Sequence, residues 1–128
     1  MTQVLSRNNF PPPPNEWPGS IPEWYIFRAL EALKVDFSYQ SSRMGGRLDK
    51  GGAILDFFIP ALNLGINVQS TFYHYGRTES VVNDNLQRIA LEGQGIQMIF
   101  IDEEDAIANP IRFTQDALRG IDHSRTAK

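Results

Sequence analysis

Two apolar segments joined by a short turn constrain this chain more than any other feature of its sequence. Residues 53–59 (AILDFFI) and 66–72 (INVQSTF) are rich in β-branched and aromatic side chains, which is typical of strands. The turn between them, residues 60–65, begins with a proline and ends with a glycine. So short a connection places the two strands side by side and antiparallel. The sequence therefore predicts a hairpin at the centre of the fold.

Side-chain alternation along this hairpin predicts a polar set on one of its faces. Successive strand residues point to opposite faces, so three apolar residues are expected to share the core face: Leu55, Phe57 and Ile59. Asp56 falls on the other face and, with the turn centred near residues 62–63, pairs across from Gln69. Phe58 then pairs across from Asn67. A carboxylate in the middle of a strand is costly to bury unless a cation or hydrogen-bond donors compensate it, which makes Asp56 a candidate functional residue.

Helical periodicity, capping residues and short apolar runs predict the elements around the hairpin. The expected helices are residues 21–34, 79–92 and 109–120, and the expected further strands are 35–41 and 96–101. The last of these strands is apolar enough to be covered on both faces. The order α-β-β-β-α-β-α predicts an α/β (α+β) fold, in which helices flank a four-stranded mixed sheet.

Three local signals refine these helices. Ser20 directly precedes the first helix, and Glu23 lies three residues after Ser20. This is the spacing of a capping box. On the helix 79–92 one apolar stripe is expected to face the core: Val82, Leu86, Ile89 and Ala90. The acidic run 102–105 is interpreted as a solvated corner between a strand and a helix.

Length and composition predict one folded domain with a proline-rich arm. A chain of 128 residues can form one core and is too short for two. The expected units are an arm (1–19), a single domain (20–120) and a polar tail (121–128). Four consecutive prolines favour an extended polyproline rod in the arm. The arm is either a flexible tail or a segment that lies on a partner or on its own domain, because Phe10 and Trp17 are costly to leave in water.

Charge and the absence of cysteine exclude several classes of site. The chain has 12 basic and 15 acidic residues and a net charge of −3, which is not the charge of a strong nonspecific DNA binder. A basic face is still possible, since the glycine-rich loop 41–52 carries Arg43, Arg47 and Lys50. These cations either contact a phosphate backbone or are simply solvated. With no cysteine, disulfides, thiolate zinc sites and cysteine nucleophiles are excluded.

Neither a membrane-spanning segment nor a secretion signal is visible in the sequence. The longest apolar runs fall well short of the roughly 20 residues that a spanning helix needs. The N-terminal residues also lack the apolar core of a signal peptide. We therefore expect a cytoplasmic protein, or a virion protein if a phage encodes it, with no membrane partner.

Residues 51–76, GGAILDFFIPALNLGINVQSTFYHYG, resemble the core of the PD-(D/E)XK nuclease superfamily. They are most similar to the branch near the very-short-patch repair endonucleases, and the resemblance extends over about residues 20–120. It implies a restriction-endonuclease-like core that binds Mg²⁺ and hydrolyses DNA. In such enzymes a metal-activated hydroxide attacks a phosphodiester and the metal stabilises the developing charge.

The resemblance assigns roles to five residues of this chain. Asp56 matches the metal-binding aspartate, Asn67 stands where a second acid is usual, and Gln69 stands where a lysine is usual. An amide can coordinate a cation but brings no charge, so Asn67 departs from the pattern more seriously than Gln69. His74 matches the distal histidine of the repair-endonuclease branch. Glu23 lies on the first helix, where the superfamily often carries an active-site acid.

Two functions follow from these matches and departures. The first is a Mg²⁺-dependent DNA endonuclease, in which the metal is held by Asp56 with Glu23 and Asn67. Gln69 would then position water, and His74 would act as a general acid or base. The second is a nuclease fold without activity that serves as a phage virion, assembly or DNA-packaging component. In that case the arm would contact virion proteins or other copies of the chain. Each residue also has a structural alternative: a helix cap for Glu23 and a packed or surface histidine for His74.

Overall fold

A four-stranded mixed sheet with helices on both faces organises the chain. The computed structural model describes residues 10–39, 48–50, 53–69, 86 and 88–125, with residues 48–50, 53 and 54 described for the backbone alone. In chain order the elements are α1 (Ile21–Ala32), β1 (Ser38–Tyr39), β2 (Leu48–Lys50), β3 (Ala53–Leu55), β4 (Phe57–Ile59), a 3-10 turn (Pro60–Leu62), β5 (Leu64–Gln69), α2 (residues 86 and 88–92), β6 (Gln97–Asp102), α3 (Glu103–Ala108) and α4 (Pro110–Leu118).

The sheet has the strand order β1-β4-β5-β6, and β2 pairs with β3 in a separate two-stranded ribbon. β4 is antiparallel to β1 and to β5. β6 runs parallel to β5, which requires a crossover, and the described part of α2 lies within that connection. The predicted α+β architecture with a mixed four-stranded sheet is confirmed.

The hairpin turn is shorter than the sequence pattern suggests. Ile59 and Leu64 pair directly, so the connection spans residues 60–63 rather than 60–65. Asn63 closes the turn in a left-handed conformation, with φ at 47°, and its amide donates to the Pro60 carbonyl oxygen at 3.2 Å. Asparagine tolerates this conformation better than most side chains, which lets β5 begin two residues earlier than predicted.

The shorter turn shifts the hairpin register by two residues. Phe58 pairs with Gly65, not with Asn67. Asp56 consequently lies in line with Asn67 and not with Gln69. The predicted pairing of Asp56 across from Gln69 is therefore wrong, although all three residues remain on neighbouring segments.

A bend at Asp56 interrupts the first strand of the hairpin. The predicted strand 53–59 is divided into β3, which pairs with β2, and β4, which joins the main sheet. The bend also breaks the alternation of side chains. Phe57 and Ile59 pack on one side of the sheet, whereas Leu55 packs in a different cluster on the other side. The prediction that these three residues share a face is therefore wrong.

Two apolar clusters cover the two faces of the sheet. The larger lies against α1, α3 and α4 and includes Ile26, Leu30, Phe57, Ile59, Leu64, Ile66, Ile99, Ile101, Ala106 and Ala117. The smaller lies against α2 and consists of Leu55, Leu91, Met98 and Phe100. Alternate residues of β6 enter the two clusters, which confirms the prediction that this strand is covered on both faces.

The orientation of α2 is the reverse of the prediction. Leu86 and Ile89 are 59% and 65% exposed, whereas Leu91 is fully buried. Ala90 is also exposed, and Val82 lies outside the described residues. Arg88 accounts for the difference, because its guanidinium lies over the Phe100 ring at 4.9 Å and pairs with a carboxylate of the C-terminal segment. This pairing places the Arg88 side of the helix against β6 and leaves the described residues of the predicted stripe exposed.

The described part of the proposed arm, residues 10–19, packs against α1. The Trp24 indole donates to the Pro11 carbonyl oxygen at 2.8 Å, and the Phe10 ring lies 6.5 Å from the Tyr25 ring. The Trp17 ring lies against the edge of the Trp24 ring at 5.0 Å. These residues therefore contact their own domain. Residues 1–9 lie outside the described part of the chain.

The α4 helix begins where the sequence indicates. Asn109 caps this helix by accepting a hydrogen bond from the Arg112 amide at 3.3 Å. The same helix contains a buried threonine hydroxyl. Thr114 is fully buried, and its hydroxyl has no hydrogen-bond partner among the described residues. Leaving such a group unsatisfied costs about 1–3 kcal/mol.

Thr114→Val is expected to raise the free energy of unfolding by about 1 kcal/mol, because it replaces this hydroxyl with a methyl group of similar size. Urea denaturation measures the change. Thr114→Ser is the control, since it keeps the hydroxyl and loses the methyl, and it should be destabilised. A Thr114→Val protein that is less stable than the wild type would show that the hydroxyl is satisfied.

Within the described ranges, every helix is too short or too polar to traverse a bilayer.

Candidate functional site

Asp56 sits where the hairpin strand bends, with only 7% of its surface exposed. Its Oδ2 accepts a hydrogen bond from the Val68 amide at 3.0 Å. Its own amide donates to the Asn67 Oδ1 at 2.7 Å. The backbone pairing of β4 and β5 ends at Phe57 and Ile66. Beyond that point these two hydrogen bonds, each with one side-chain partner, hold the strands together. Asp56 and Asn67 therefore have a structural role in closing the hairpin, whatever chemistry they serve.

Glu23 is brought to the site by the first turn of α1. The Ser20 hydroxyl caps this helix by accepting from the Glu23 amide at 3.2 Å, as the sequence indicates. The Glu23 carboxylate turns towards β1, where its Oε1 accepts a hydrogen bond from the Tyr39 hydroxyl at 2.6 Å. With 6% of its surface exposed, the carboxylate is buried between α1 and β1. Its role therefore extends beyond helix capping.

The two buried acids interact electrostatically. Burial, and secondarily the negative charge of Glu23, raise the pKa of Asp56 from 3.8 to about 7, while the Val68 amide acts in the opposite direction. Among the described residues, no arginine or lysine forms an ion pair with either carboxylate. A buried carboxyl group whose pKa is raised in this way favours either keeping its proton or binding a cation.

Gln69 lies at the end of β5, two residues beyond Asn67 and on the same side of the strand. It is buried, and it pairs in register with Asp102 at the end of β6. The Asp102 carboxylate is buried as well, and its Oδ2 accepts from the Arg125 amide at 3.1 Å. The interpretation of residues 102–105 as a solvated corner is therefore wrong for Asp102.

Sequence reasoning missed two polar residues near these groups, Tyr39 and Asp102. One signal for Asp102 was available: it directly follows an apolar strand, and polar residues at the carboxyl ends of parallel strands often line sites. Tyr39 gave no comparable signal, because a tyrosine in a short strand is typical of ordinary packing.

Four predicted site residues cannot be placed at this site. Arg43, Arg47 and His74 lie outside the described residues. Lys50 belongs to β2, but its side chain lies outside the described part of the structure. The proposed phosphate contacts and the proposed role of His74 therefore remain predictions.

Two of the described side chains are of the type that ligates Mg²⁺ in proteins. Mg²⁺ is commonly held by one or two carboxylates and completes its octahedron with water and phosphate oxygens. Glu23 and Asp56 supply two buried carboxylates. The described residues contain no cluster of three or more acidic, histidine or cysteine side chains, so the protein would contribute only part of the coordination. Asn67 already uses its carbonyl oxygen to accept the Asp56 amide.

Comparison with known proteins supports the fold assignment. No protein-family model matches the chain, and no curated protein gives a significant match. Among solved structures, the chain is similar to one described as the catalytic domain of the homing endonuclease I-Bth0305I, with a TM-score of 0.54 and 14% sequence identity. The similarity covers 80% of this chain and 90% of that chain. At this level of identity the likeness concerns the fold, and the chain therefore has a nuclease-like fold.

Proposed function

We propose that this chain is a Mg²⁺-dependent DNA endonuclease of the PD-(D/E)XK type, related to the very-short-patch repair branch. The observation that carries the proposal is the buried pair Glu23 and Asp56, which no described arginine or lysine neutralises. Burying two carboxylates together is unfavourable. A divalent cation would offset that cost. The nuclease-like fold is consistent with this role.

The chemistry of the proposed site divides among residues of α1, of the bend between β3 and β4, and of β5. A bound Mg²⁺ would supply a hydroxide nucleophile and stabilise the charge that develops on a phosphodiester. Glu23 and Asp56 would hold the ion, and Asp56 must release its proton to do so. Gln69, at the end of β5, has an amide that can orient a water molecule by donating or accepting a hydrogen bond. We also assign His74 a role as general acid or base.

The proposed substrate is DNA, bound through its backbone. Arg43, Arg47 and Lys50 would contact phosphates from the loop 41–52, where glycines allow close approach. The net charge of −3 is compatible with such local contacts, because binding depends on the cations that face the phosphates. The negative net charge favours a modest affinity for DNA. Because the proposed contacts join cations to phosphates, that affinity should fall as the salt concentration increases.

One structural observation favours the alternative, a nuclease fold without activity. The Asn67 side chain accepts a hydrogen bond from the Asp56 amide, and the Asp56 side chain accepts one from the Val68 amide. These bonds join the two strands of the hairpin, a role that needs no metal. In this alternative the chain serves as a phage virion, assembly or DNA-packaging component. The arm would then mediate contacts with virion proteins or with other copies of the chain.

A plasmid-nicking assay distinguishes the two functions. Supercoiled plasmid is incubated with the full chain and either Mg²⁺ or Mn²⁺, and open-circular product is quantified. We expect the wild type to nick, and Asp56→Asn to lower the rate at least about 100-fold, since it removes a charged metal ligand. Asp36→Asn is the matched control, because Asp36 is an exposed acid, and its rate should stay near that of the wild type.

Two results would contradict the proposal. Nicking that survives Asp56→Asn would exclude Asp56 from the mechanism. A wild-type protein that nicks with neither metal would favour the inactive alternative, and size-exclusion chromatography with light scattering would then test for the oligomer that an assembly role requires.

A further inference from the structure

We propose that Tyr39 is a positioning residue for Glu23, and that the arm segment 17–19 holds Tyr39 and Glu23 in place. The inference rests on the proposed function, because it deepens the account of the same site. It assigns to the site one residue of β1 and two residues of the arm, Trp17 and Gly19.

The contact between Tyr39 and Glu23 joins two separate elements at a buried position. The Tyr39 hydroxyl donates to the Glu23 Oε1 at 2.6 Å, a short distance that is typical of a hydroxyl bonded to a carboxylate. A glutamate side chain has three rotatable bonds and loses considerable freedom when it is fixed. The hydroxyl supplies a fixed donor that selects one position for the Glu23 carboxylate.

The Tyr39 ring is itself immobilised by aromatic neighbours. Trp17 stacks on it with ring centroids 5.0 Å apart and an interplanar angle of 10°. Phe57 lies 4.8 Å away on the sheet, and Phe27 lies 5.7 Å away on α1. The Trp17 indole is in turn anchored, because its Nε1 donates to the Ser20 carbonyl oxygen at 2.9 Å. The arm therefore fixes the ring whose hydroxyl contacts Glu23.

Gly19 provides a second link between the arm and the site. A Cβ atom at this position would lie against the Tyr39 hydroxyl and 2.5 Å from the Glu23 Oε1, too close for either contact to survive unchanged. The absence of a side chain at residue 19 thus allows the arm to pass over the hydrogen bond itself. Glycine is therefore required at position 19 by the lack of space for a side chain and not by the backbone conformation.

Loss of the tyrosine hydroxyl should therefore weaken cation binding more than it weakens the fold. Hydrogen-bond partners that orient metal ligands typically contribute about 10–100-fold to metal affinity. A tyrosine that served packing alone would contribute through its ring, and that ring is retained in phenylalanine. Tyr39→Phe separates the two roles.

The experiment measures Mn²⁺ binding to the full chain by isothermal titration calorimetry at pH 8. We expect Tyr39→Phe to raise the Kd about 10–100-fold and Gly19→Ala to raise it in the same direction. Tyr25→Phe is the matched control, because Tyr25 packs against Phe10 and its hydroxyl forms no hydrogen bond with the described residues. Its Kd should stay within about twofold of the wild-type value. Circular dichroism checks that each variant is folded.

The possible outcomes separate this inference from the proposed function. A wild type that binds Mn²⁺, with Tyr39→Phe and Gly19→Ala binding equally well, overturns the positioning role and leaves the metal site intact. A wild type that binds no Mn²⁺ overturns both. A double-mutant cycle of Tyr39→Phe with Glu23→Gln, measured by denaturation in EDTA, gives a readout without metal. Coupling between the two substitutions supports the positioning role, and strict additivity contradicts it.

Discussion

The Asp56→Asn variant is expected to be as stable as the wild-type protein below about pH 4 and about 4 kcal/mol more stable above pH 8 in the absence of metal. The reason is that the folded protein holds a proton on Asp56 up to a pKa of about 7, against an ordinary value of 3.8. Asparagine resembles the protonated acid and carries no charge. Its side-chain oxygen can still accept the Val68 amide.

The sign follows from the protons bound in each state. Between about pH 4 and pH 7 the folded state keeps the Asp56 proton while the unfolded state loses it, so the free energy of unfolding falls as pH rises. Below pH 4 both states are protonated, and Asp56 contributes no difference. Each pKa unit corresponds to about 1.4 kcal/mol. Asp56→Asn removes this part of the pH dependence.

Urea denaturation in EDTA between pH 4 and pH 8.5 measures the effect. Asp36→Asn is the control, since Asp36 is exposed and its replacement should leave the pH dependence unchanged. If Asp56→Asn and the wild type lose stability in parallel across this range, Asp56 is ionised in the folded protein at neutral pH. Adding Mg²⁺ should stabilise the wild type more than Asp56→Asn, because the ion binds the carboxylate form.

The expected stability cost of Asp56 bears on function. A residue that destabilises the folded protein at neutral pH, and that an uncharged isostere would improve, is the kind of residue that active sites retain. The hairpin-closing hydrogen bonds could be made by asparagine equally well. Greater stability of Asp56→Asn would therefore support the proposed cation, which needs the negative charge.

The parts of the fold that could be predicted from sequence depend on local signals. Helix starts are marked by Ser20 and Asn109, whose side chains accept hydrogen bonds from amides three residues further on. A proline in the first turn of each helix adds to this signal. The strand β6 was predicted to within one residue, as 96–101, because an apolar run of that length is too short for a buried helix. Local patterns of this kind are sufficient to predict the α+β class and the mixed sheet.

The parts that were predicted wrongly depend on contacts distant in sequence or on one unusual backbone angle. The hairpin register follows from the left-handed conformation of Asn63, which no periodicity reveals. The bend at Asp56 is compensated by side-chain bonds to Asn67 and Val68, eleven and twelve residues away. The orientation of α2 follows from Arg88, whose partner lies 34 residues further along the chain.

The candidate site shows the same division. Asp56 could be selected as a candidate because an acid in the middle of a strand stands out in the sequence, and Glu23 because the resemblance to a nuclease superfamily points to an acid on the first helix. The structure adds that the two carboxylates are buried and electrostatically coupled. Their link to Tyr39 and Trp17 could not be anticipated, since it depends on where the arm lies.

Asp122 offers the clearest test of how the C-terminal segment stabilises the fold. Its Oδ2 accepts from the Arg88 Nη2 at 2.8 Å and from the Phe100 amide at 3.0 Å. Its Oδ1 accepts from the amide and the hydroxyl of Ser124, a residue that is fully buried. One carboxylate thus joins α2, the outer edge of β6 and the C-terminal segment. Both members of the ion pair are largely buried, since the Arg88 side chain is 17% exposed and the Asp122 side chain 9%.

Asp122→Ala is therefore expected to lower the free energy of unfolding by about 3–5 kcal/mol. Most of this loss arises because the Arg88 guanidinium, the Phe100 amide and the Ser124 hydroxyl are left without their acceptor. Urea denaturation measures the change, and hydrogen exchange at the Phe100 amide should accelerate. Asp116→Ala is the control, since the Asp116–His123 pair is more exposed and its loss should cost no more than about 1 kcal/mol. Equal losses in the two variants would show that Asp122 acts only as another surface charge.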